Sequence, residues 1–124
     1  MTTTKKDAPL IGIVGVCTSG KSTLIAGLQS YGLRTRHIAQ EHSYVKDMWR
    51  RLSNPDILIY LHVSYEITQT RRKIAWTEDE YRTQLHRLRH AREHADYYRD
   101  TDNKMPARVL EEAVNFLQEI GATQ

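Results

Sequence analysis

The stretch GVCTSGKS, residues 15–22, decides the fold that this sequence is expected to adopt. It directly follows an apolar, β-branched run, and residues 10–16 are therefore predicted to form a strand that is buried on both faces. After it, Leu24, Ile25 and Leu28 share one side of a segment that stops at Gly32, which predicts a helix over residues 21–31. The stretch is thus expected to connect a buried strand to a helix.

This stretch, named the 15–22 loop below, matches the pattern G-x-x-x-x-G-K-[ST] of a phosphate-binding loop. Successive backbone N–H groups of such a loop wrap phosphate oxygens, and the following helix adds the positive end of its dipole. Lys21 is expected to reach the β- and γ-phosphates, and Ser22 to hold Mg²⁺. The alternative is a glycine-rich turn that binds nothing. The residues predicted to contact nucleotide here are Gly15, Thr18, Ser19, Gly20, Lys21, Ser22 and Thr23.

Strands and helices are expected to alternate along the whole chain. This alternation predicts an α/β fold, a three-layer sandwich around a short and mostly parallel sheet of about four strands. Residues 1–8 are interpreted as a loose tail, and residues 1–124 as a single domain. Further strands are expected at 34–39, 57–63 and 95–100, and further helices at 43–52, 64–76, 77–94 and from Pro106 to Gly121.

Composition narrows the classes of partner. The formal net charge is +3, and the chain has one cysteine, so it cannot form an internal disulfide. No apolar run is long enough to span a bilayer, and the N-terminal residues lack the apolar core of a signal peptide, so a cytoplasmic protein without a membrane partner is expected. Nucleic acid is not the expected partner, because the basic helices carry no interleaved aromatic residues. The oligomeric state stays open.

The strand, loop and helix together resemble the P-loop superfamily of nucleoside triphosphate hydrolases and kinases. Within it, the chain looks most like the small nucleoside and nucleotide kinases. PDILIYLHVS (55–64) resembles their late core strand, TRRK (70–73) their arginine-bearing lid, and ADYYRDTDNKMPARVLEEAV (95–114) their last strand, nucleobase-side loop and closing helix. The resemblance implies a helical lid over residues 64–94, a cofactor that is Mg²⁺ with ATP or another nucleoside triphosphate, and nucleotide contacts from Arg71, Arg72 and Asn103. The alternative for Arg71 and Arg72 is that they belong to an exposed basic helix.

The chain departs from these kinases in one respect that bears on activity. Such kinases usually have five strands, and the middle strand that carries the Walker B aspartate has no counterpart here. Two functions therefore stay open. The first is a compact phosphotransferase that uses Mg-ATP and a small phosphate acceptor. The second is a nucleotide-binding or slowly hydrolysing module that acts through a partner.

Glu41 is the carboxylate that the sequence offers in place of that aspartate. It follows the second predicted strand, and side chains at the carboxyl ends of parallel strands face the ligand crevice. Glu41 is expected to hold Mg²⁺ through water or to act as a general base. The alternative is a surface glutamate at the end of a strand.

Arg92 is the arginine predicted to act on phosphate in catalysis. At about 100° per residue, it falls within an apolar stripe of the helix predicted over 77–94, and a guanidinium on an inward face needs an anion. Arg89, on the flank of the stripe, is the second choice, and a structural pair with a carboxylate is the alternative for Arg92. The stripe consists of Tyr81, Leu85, Leu88, Ala91 and Ala95, and His86, His90 and His94 are expected on the opposite, solvated face.

Overall fold

A computed structural model describes residues 8–71 and 76–122 of the chain. The described strands are β1 (Leu10–Gly15), β2 (Arg34–His37), β3 (Ile57–His62) and β4 (Tyr97–Asp100). They form one parallel sheet in the order β2-β1-β3-β4. Helices connect β1 to β2 and β3 to β4, and the expected α/β fold is confirmed. The helices are α1 (Lys21–Ser30), α2 (Tyr65–Arg71), α3 (Glu78–Arg87), α4 (Arg89–His94) and α5 (Pro106–Glu119).

The two central strands bury both of their faces, as their continuous apolar sequences predict. On one face of the sheet, Ile11, Ile13 and Ile59 pack against α1 and α5. On the other face, Val14, Leu58 and Tyr60 belong to a separate cluster that includes Tyr81 of α3 and Ala91 of α4. Helices therefore cover both faces, which gives the three layers of the sandwich.

The register of the sheet brings the carboxyl ends of β1 and β3 level with each other, with Gly15 opposite Leu61. A Cβ atom at Gly15 would collide with the carbonyl oxygen of Leu61, so the close approach of these strands requires glycine. The segments that follow β1, β2 and β4 leave the sheet at this same edge. The topology therefore gathers the 15–22 loop, Glu41 and Thr101 at one end of the sheet.

The outer strands are short and polar. Strands β2 and β4 have four residues each, and Arg34 and Arg36 of β2 and Asp100 of β4 are exposed. The sheet thus ends on both sides in strands that carry charged side chains. None of the described helices combines the length and apolar composition needed to cross a membrane.

The prediction of a helix over residues 43–52 is wrong. The segment instead begins with a 3₁₀ turn at Gln40–His42 and ends with a π-helical turn at Trp49–Ser53. The buried Gln40 amide holds it in place: Nε2 donates to the carbonyl oxygens of Val45 (2.8 Å) and Arg87 (3.1 Å), and Oε1 accepts from the backbone of Trp49 at 2.8 Å. These bonds hold the segment in its irregular conformation.

The helix predicted over residues 77–94 is divided in two at Leu88, where α3 ends and α4 begins. Its start is as expected, because Thr77 and Glu80 form a reciprocal capping box. Residues 1–7 of the predicted loose tail lie outside the described residues. So do residues 72–75 of the helix predicted over 64–76.

Candidate functional site

The 15–22 loop has a conformation suited to an anion. Thr18 and Gly20 have positive φ angles, 67° and 98°, and such residues turn neighbouring backbone N–H groups toward one side of a loop. Gly20 is the N-cap of α1, and no described side chain accepts a hydrogen bond from the first turn of this helix. The first N–H groups of a helix have no partner within it. The loop and helix therefore offer several backbone donors in one place.

Lys21 and Glu41 form a buried ion pair beside the loop. The Lys21 ammonium lies 3.0 Å from Glu41 Oε2 and donates to the carbonyl oxygens of Gly15 (2.6 Å) and Val16 (3.1 Å). The side chains are only 6% and 4% exposed. Glu41 belongs to the 3₁₀ turn after β2, and β2 pairs with β1, which brings the carboxylate to the loop. The interpretation of Glu41 as a surface glutamate is therefore wrong.

Three buried oxygen atoms at this place have no hydrogen-bond partner among the described residues. They are Glu41 Oε1, Thr18 Oγ1 and Ser19 Oγ. Buried polar atoms in proteins are nearly always hydrogen-bonded, and leaving one without a partner costs about 1–3 kcal/mol. All three belong to residues that line the same cavity, and the atoms themselves are buried beneath its surface.

That cavity has a volume of about 650 Å³. Its lining includes the imidazoles of His37 and His42 and the cationic side chains of Arg71 and Lys104, whereas Glu41 is the only carboxylate among the described lining residues. Because Lys21 already neutralises Glu41, the cavity has an excess of positive charge. A cavity of this sign favours anionic ligands.

Arg71, at the end of α2, ties the loop to the end of β4. Its Nη1 donates to the carbonyl oxygen of Thr18 at 3.0 Å and to Thr101 Oγ1 at 2.9 Å, and Nη2 donates to the Thr101 carbonyl oxygen. Arg71 lines the cavity, but its guanidinium binds the protein itself in this structure, and its predicted contact with nucleotide stays a prediction. Arg72 lies outside the described residues.

Gln84 of α3 is a second clamp on the loop. Its side-chain oxygen accepts from the backbone N–H of Cys17 at 3.0 Å, and its amide nitrogen donates to Cys17 Sγ at 3.1 Å. Gln84 is buried. The helical region between β3 and β4 therefore holds the loop from two sides, through Arg71 and through Gln84.

The structure assembles most of the residues predicted from the loop pattern. Thr18, Ser19, Gly20, Lys21, Ser22 and Thr23 line the cavity, and Gly15 contributes the carbonyl that holds Lys21. Asn103 does not belong to the described lining; it is exposed in the turn after β4.

The inward position expected for Arg92 is wrong. Arg92 is exposed, and its guanidinium carbon lies 5.0 Å from the ring centre of Tyr98 on the edge strand β4. Arg89 is also exposed and donates to the carbonyl oxygen of His86 at 2.8 Å. Both arginines line a second cavity, with Tyr60, and neither lines the cavity at the loop. The side of the helix was predicted correctly, but an edge strand covers it incompletely.

Sequence reasoning missed several residues of the cavity. Thr101 directly follows β4, so the rule that ligands lie beyond the carboxyl ends of parallel strands could have identified it. The clamp formed by Gln84 gave no sequence signal, because a polar residue beside an apolar stripe is ordinary. The lining residues absent from the predicted site are Cys17, Leu24, His37, His42, Thr101, Lys104, Pro106 and Val109.

The fold and site thus define an α/β protein with a parallel four-stranded sheet and an electropositive cavity at the carboxyl ends of its strands. Comparison of the chain with protein-family models, with curated proteins and with solved structures found no match.

Proposed function

We propose that this protein binds a nucleoside triphosphate with Mg²⁺ at the 15–22 loop and transfers its terminal phosphate to a small acceptor. The observation that carries the proposal is the uncapped first turn of α1 within an electropositive cavity of about 650 Å³. Backbone donors at a helix start, with a lysine and an arginine beside them, are the groups that polyphosphate requires. ATP is the first nucleotide to test.

The residues present fit a magnesium ion. Mg²⁺ prefers oxygen ligands and usually takes one or two from the protein and others from phosphate and water. Ser22 offers an exposed hydroxyl group at the cavity, and Glu41 offers a buried carboxylate oxygen that has no partner among the described residues. When bound, the ion would offset phosphate charge and polarise the bond that is broken.

Lys21 has a role that follows from its present contacts. Its ammonium is held by one carboxylate and two backbone carbonyls, and all three lie within the loop or beside it. A phosphate that enters the cavity offers a stronger, charge-assisted hydrogen bond than a neutral carbonyl does. Lys21 would then exchange its carbonyl contacts and its pairing with Glu41 for phosphate oxygens, and Glu41 would be free to serve the metal or the acceptor.

The pairing of Glu41 with Lys21 is the reason that a second function is also proposed. It is the only carboxylate among the described residues that line the cavity, and Lys21 already holds it. If Glu41 stays paired when nucleotide binds, the described cavity offers no other carboxylate as a base. The protein would then be a nucleotide-binding or slowly hydrolysing module that acts through a partner.

Binding is tested first, by calorimetric titration of the purified chain with Mg-ATP and Mg-GTP. We expect the Lys21→Met variant to bind at least about tenfold more weakly, because the lysine provides a charge-assisted contact. Lys46→Met is the matched control, since Lys46 is exposed and does not line the cavity. Equal affinity of Lys21→Met and the parent would contradict the proposal.

Because Lys21→Met also breaks a buried ion pair, Ser22→Ala provides a test with less risk to the fold. Ser22 is exposed. We expect this variant to lose the part of the nucleotide affinity that depends on Mg²⁺ and to retain the part measured in excess chelator. An unchanged Mg²⁺ dependence would remove Ser22 from the metal site.

Transfer is then tested with γ-labelled ATP and a panel of nucleosides, nucleotides and small phosphate acceptors. Label on a defined acceptor supports the phosphotransferase. Nucleotide binding with no label on any acceptor, and with slow release of inorganic phosphate, supports the module instead.

A further inference from the structure

Three different kinds of metal ligand meet beside the loop. The sulfur of Cys17, a carboxylate oxygen of Glu41 and an imidazole nitrogen of His42 all lie within 4.8 Å of one another. The 15–22 loop supplies the cysteine, and the turn after β2 supplies the other two. The parallel pairing of β1 with β2 therefore creates the group from two segments that are distant in sequence.

Glu41 brings to this group one oxygen that Lys21 holds and one that has no partner among the described residues. One of its oxygens, Oε2, is held by Lys21 at 3.0 Å and lies 3.8 Å from His42 Nε2. The other, Oε1, is buried and has no hydrogen-bond partner among the described residues. The side chain is 4% exposed, so water does little to compensate this oxygen. A metal ion in contact with Oε1 would remove this cost.

We propose that Cys17, Glu41 and His42 form a binding site for a zinc-class ion. Thiolate, imidazole and carboxylate are the ligands that Zn²⁺ takes in proteins, whereas Mg²⁺ prefers oxygen alone. On binding, the Cys17 thiol releases its proton to solvent, and the sulfur donates an electron pair to the ion without any change of oxidation state. Three protein ligands leave the fourth position of a tetrahedral ion open. The site requires no nucleotide and does not rest on the proposed function, and Glu41 would serve either this ion or the Mg²⁺ of that proposal, not both at once.

The geometry needs only a small adjustment. With Zn–S near 2.3 Å and Zn–N near 2.1 Å, ligand atoms on one tetrahedral ion lie about 3.5 Å apart. The His42 side chain is 61% exposed, so its ring is free to turn toward the other two ligands. The hydrogen bond from Gln84 Nε2 to Cys17 Sγ can persist when the sulfur is bound to metal, and such outer contacts orient metal ligands.

The test uses the full, untagged chain without nucleotide, titrated with Co²⁺ and then with Zn²⁺. The chain has one cysteine, so a sulfur-to-cobalt charge-transfer band reports on Cys17 alone. We expect this band together with the intense visible bands of tetrahedral Co²⁺, and we expect Zn²⁺ to displace both. Co²⁺ binding without the sulfur band would overturn the proposal.

Variants locate the other ligands. We expect Cys17→Ser and His42→Gln each to weaken Zn²⁺ affinity by more than about tenfold, measured by competition with a chromophoric chelator. His37→Gln is the matched control, because His37 lines the same cavity but is not part of the group. Equal affinity of His42→Gln and the parent would refute the site.

Thiol protection provides an independent measurement that needs no variant of Cys17. Zn²⁺ is expected to slow the reaction of the single cysteine with a thiol reagent several-fold in the parent and in His37→Gln. The protection should be lost in His42→Gln. Equal protection in all three proteins would place the ion away from His42 and overturn the proposed ligand set.

Discussion

Separating Lys21 from Glu41 by mutation is expected to reveal a strongly coupled pair. The two side chains are 3.0 Å apart and almost fully buried. Removing one partner of a buried ion pair leaves the other charge uncompensated, which typically destabilises a protein by 3–5 kcal/mol. Replacing both partners leaves no buried charge and costs much less. The losses of stability in the two single variants are therefore expected to add up to more than the loss in the double variant.

The contacts of each partner set the size of the effect. In Glu41→Gln, the Lys21 ammonium keeps two carbonyl acceptors, Gly15 and Val16, so we expect a loss near the lower limit, about 3 kcal/mol. In Lys21→Met, the buried Glu41 carboxylate loses the ammonium that lies 3.0 Å from it, so we expect about 4 kcal/mol. The double variant should lose about 2 kcal/mol.

The assay is equilibrium unfolding in urea of the parent, both single variants and the double variant, followed by the fluorescence of the two tryptophans, Trp49 and Trp76. The single losses together come to about 7 kcal/mol, so the double variant, which loses about 2 kcal/mol, is expected to be about 5 kcal/mol more stable than additive single effects predict. Additivity to within about 0.5 kcal/mol would refute the reasoning, because it would mean that the two charges do not compensate each other.

The remaining predictions concern the framework of the loop. Gly15→Ala is expected to lower the free energy of unfolding by more than about 2 kcal/mol, because a Cβ atom would collide with the Leu61 carbonyl; in Gly20→Ala the positive φ strains the alanine but its Cβ meets open space, so thermal melts of both variants isolate the cost of the collision. Arg71→Lys is expected to cost about 1–2 kcal/mol and to weaken Mg-ATP binding, since a lysine cannot keep the contacts to both Thr18 and Thr101; calorimetry and melts measure the two effects, and unchanged values would contradict the clamp. Burial holds the pKa of His62 below its ordinary value, so the unfolded chain binds the proton first as the pH falls. Stability should therefore decrease from about pH 7 to about pH 5, and less so in His62→Gln; parallel curves for both proteins would exclude His62 as the cause.

The sequence predicted the parts of the fold that local chemistry determines. Strands β1 and β3 are apolar runs that only a buried parallel sheet accommodates, and the long helix α5 starts at a proline as expected. The position of Lys21 at the start of α1 followed from the loop pattern. That Glu41 follows a strand and reaches the loop edge followed from the parallel sheet, although its pairing with Lys21 was not predicted.

Other features depend on contacts between distant segments, which local patterns do not encode. The irregular segment between β2 and β3 exists because the Gln40 amide binds backbone groups up to 47 residues away. The exposure of Arg92 depends on the width of the sheet, because its neighbour Tyr98 lies on an edge strand that solvent reaches. An angular projection along one helix contains no information on where the sheet stops.

The order of the strands also has a consequence for how the chain avoids aggregation. The sequences of β1 and β3 are uncharged apart from a histidine and rich in β-branched residues, which is the composition of segments that assemble into fibrils when their edges are free. Here both lie inside the sheet, and the short outer strands carry Arg34, Arg36 and Asp100 at the borders. Charged and short edges discourage the addition of a further strand from another molecule. The polar edge strands thus protect the apolar strands from pairing with other molecules. A chain shortened before β4 would expose the hydrogen-bonding edge of β3, where a strand of another copy could add.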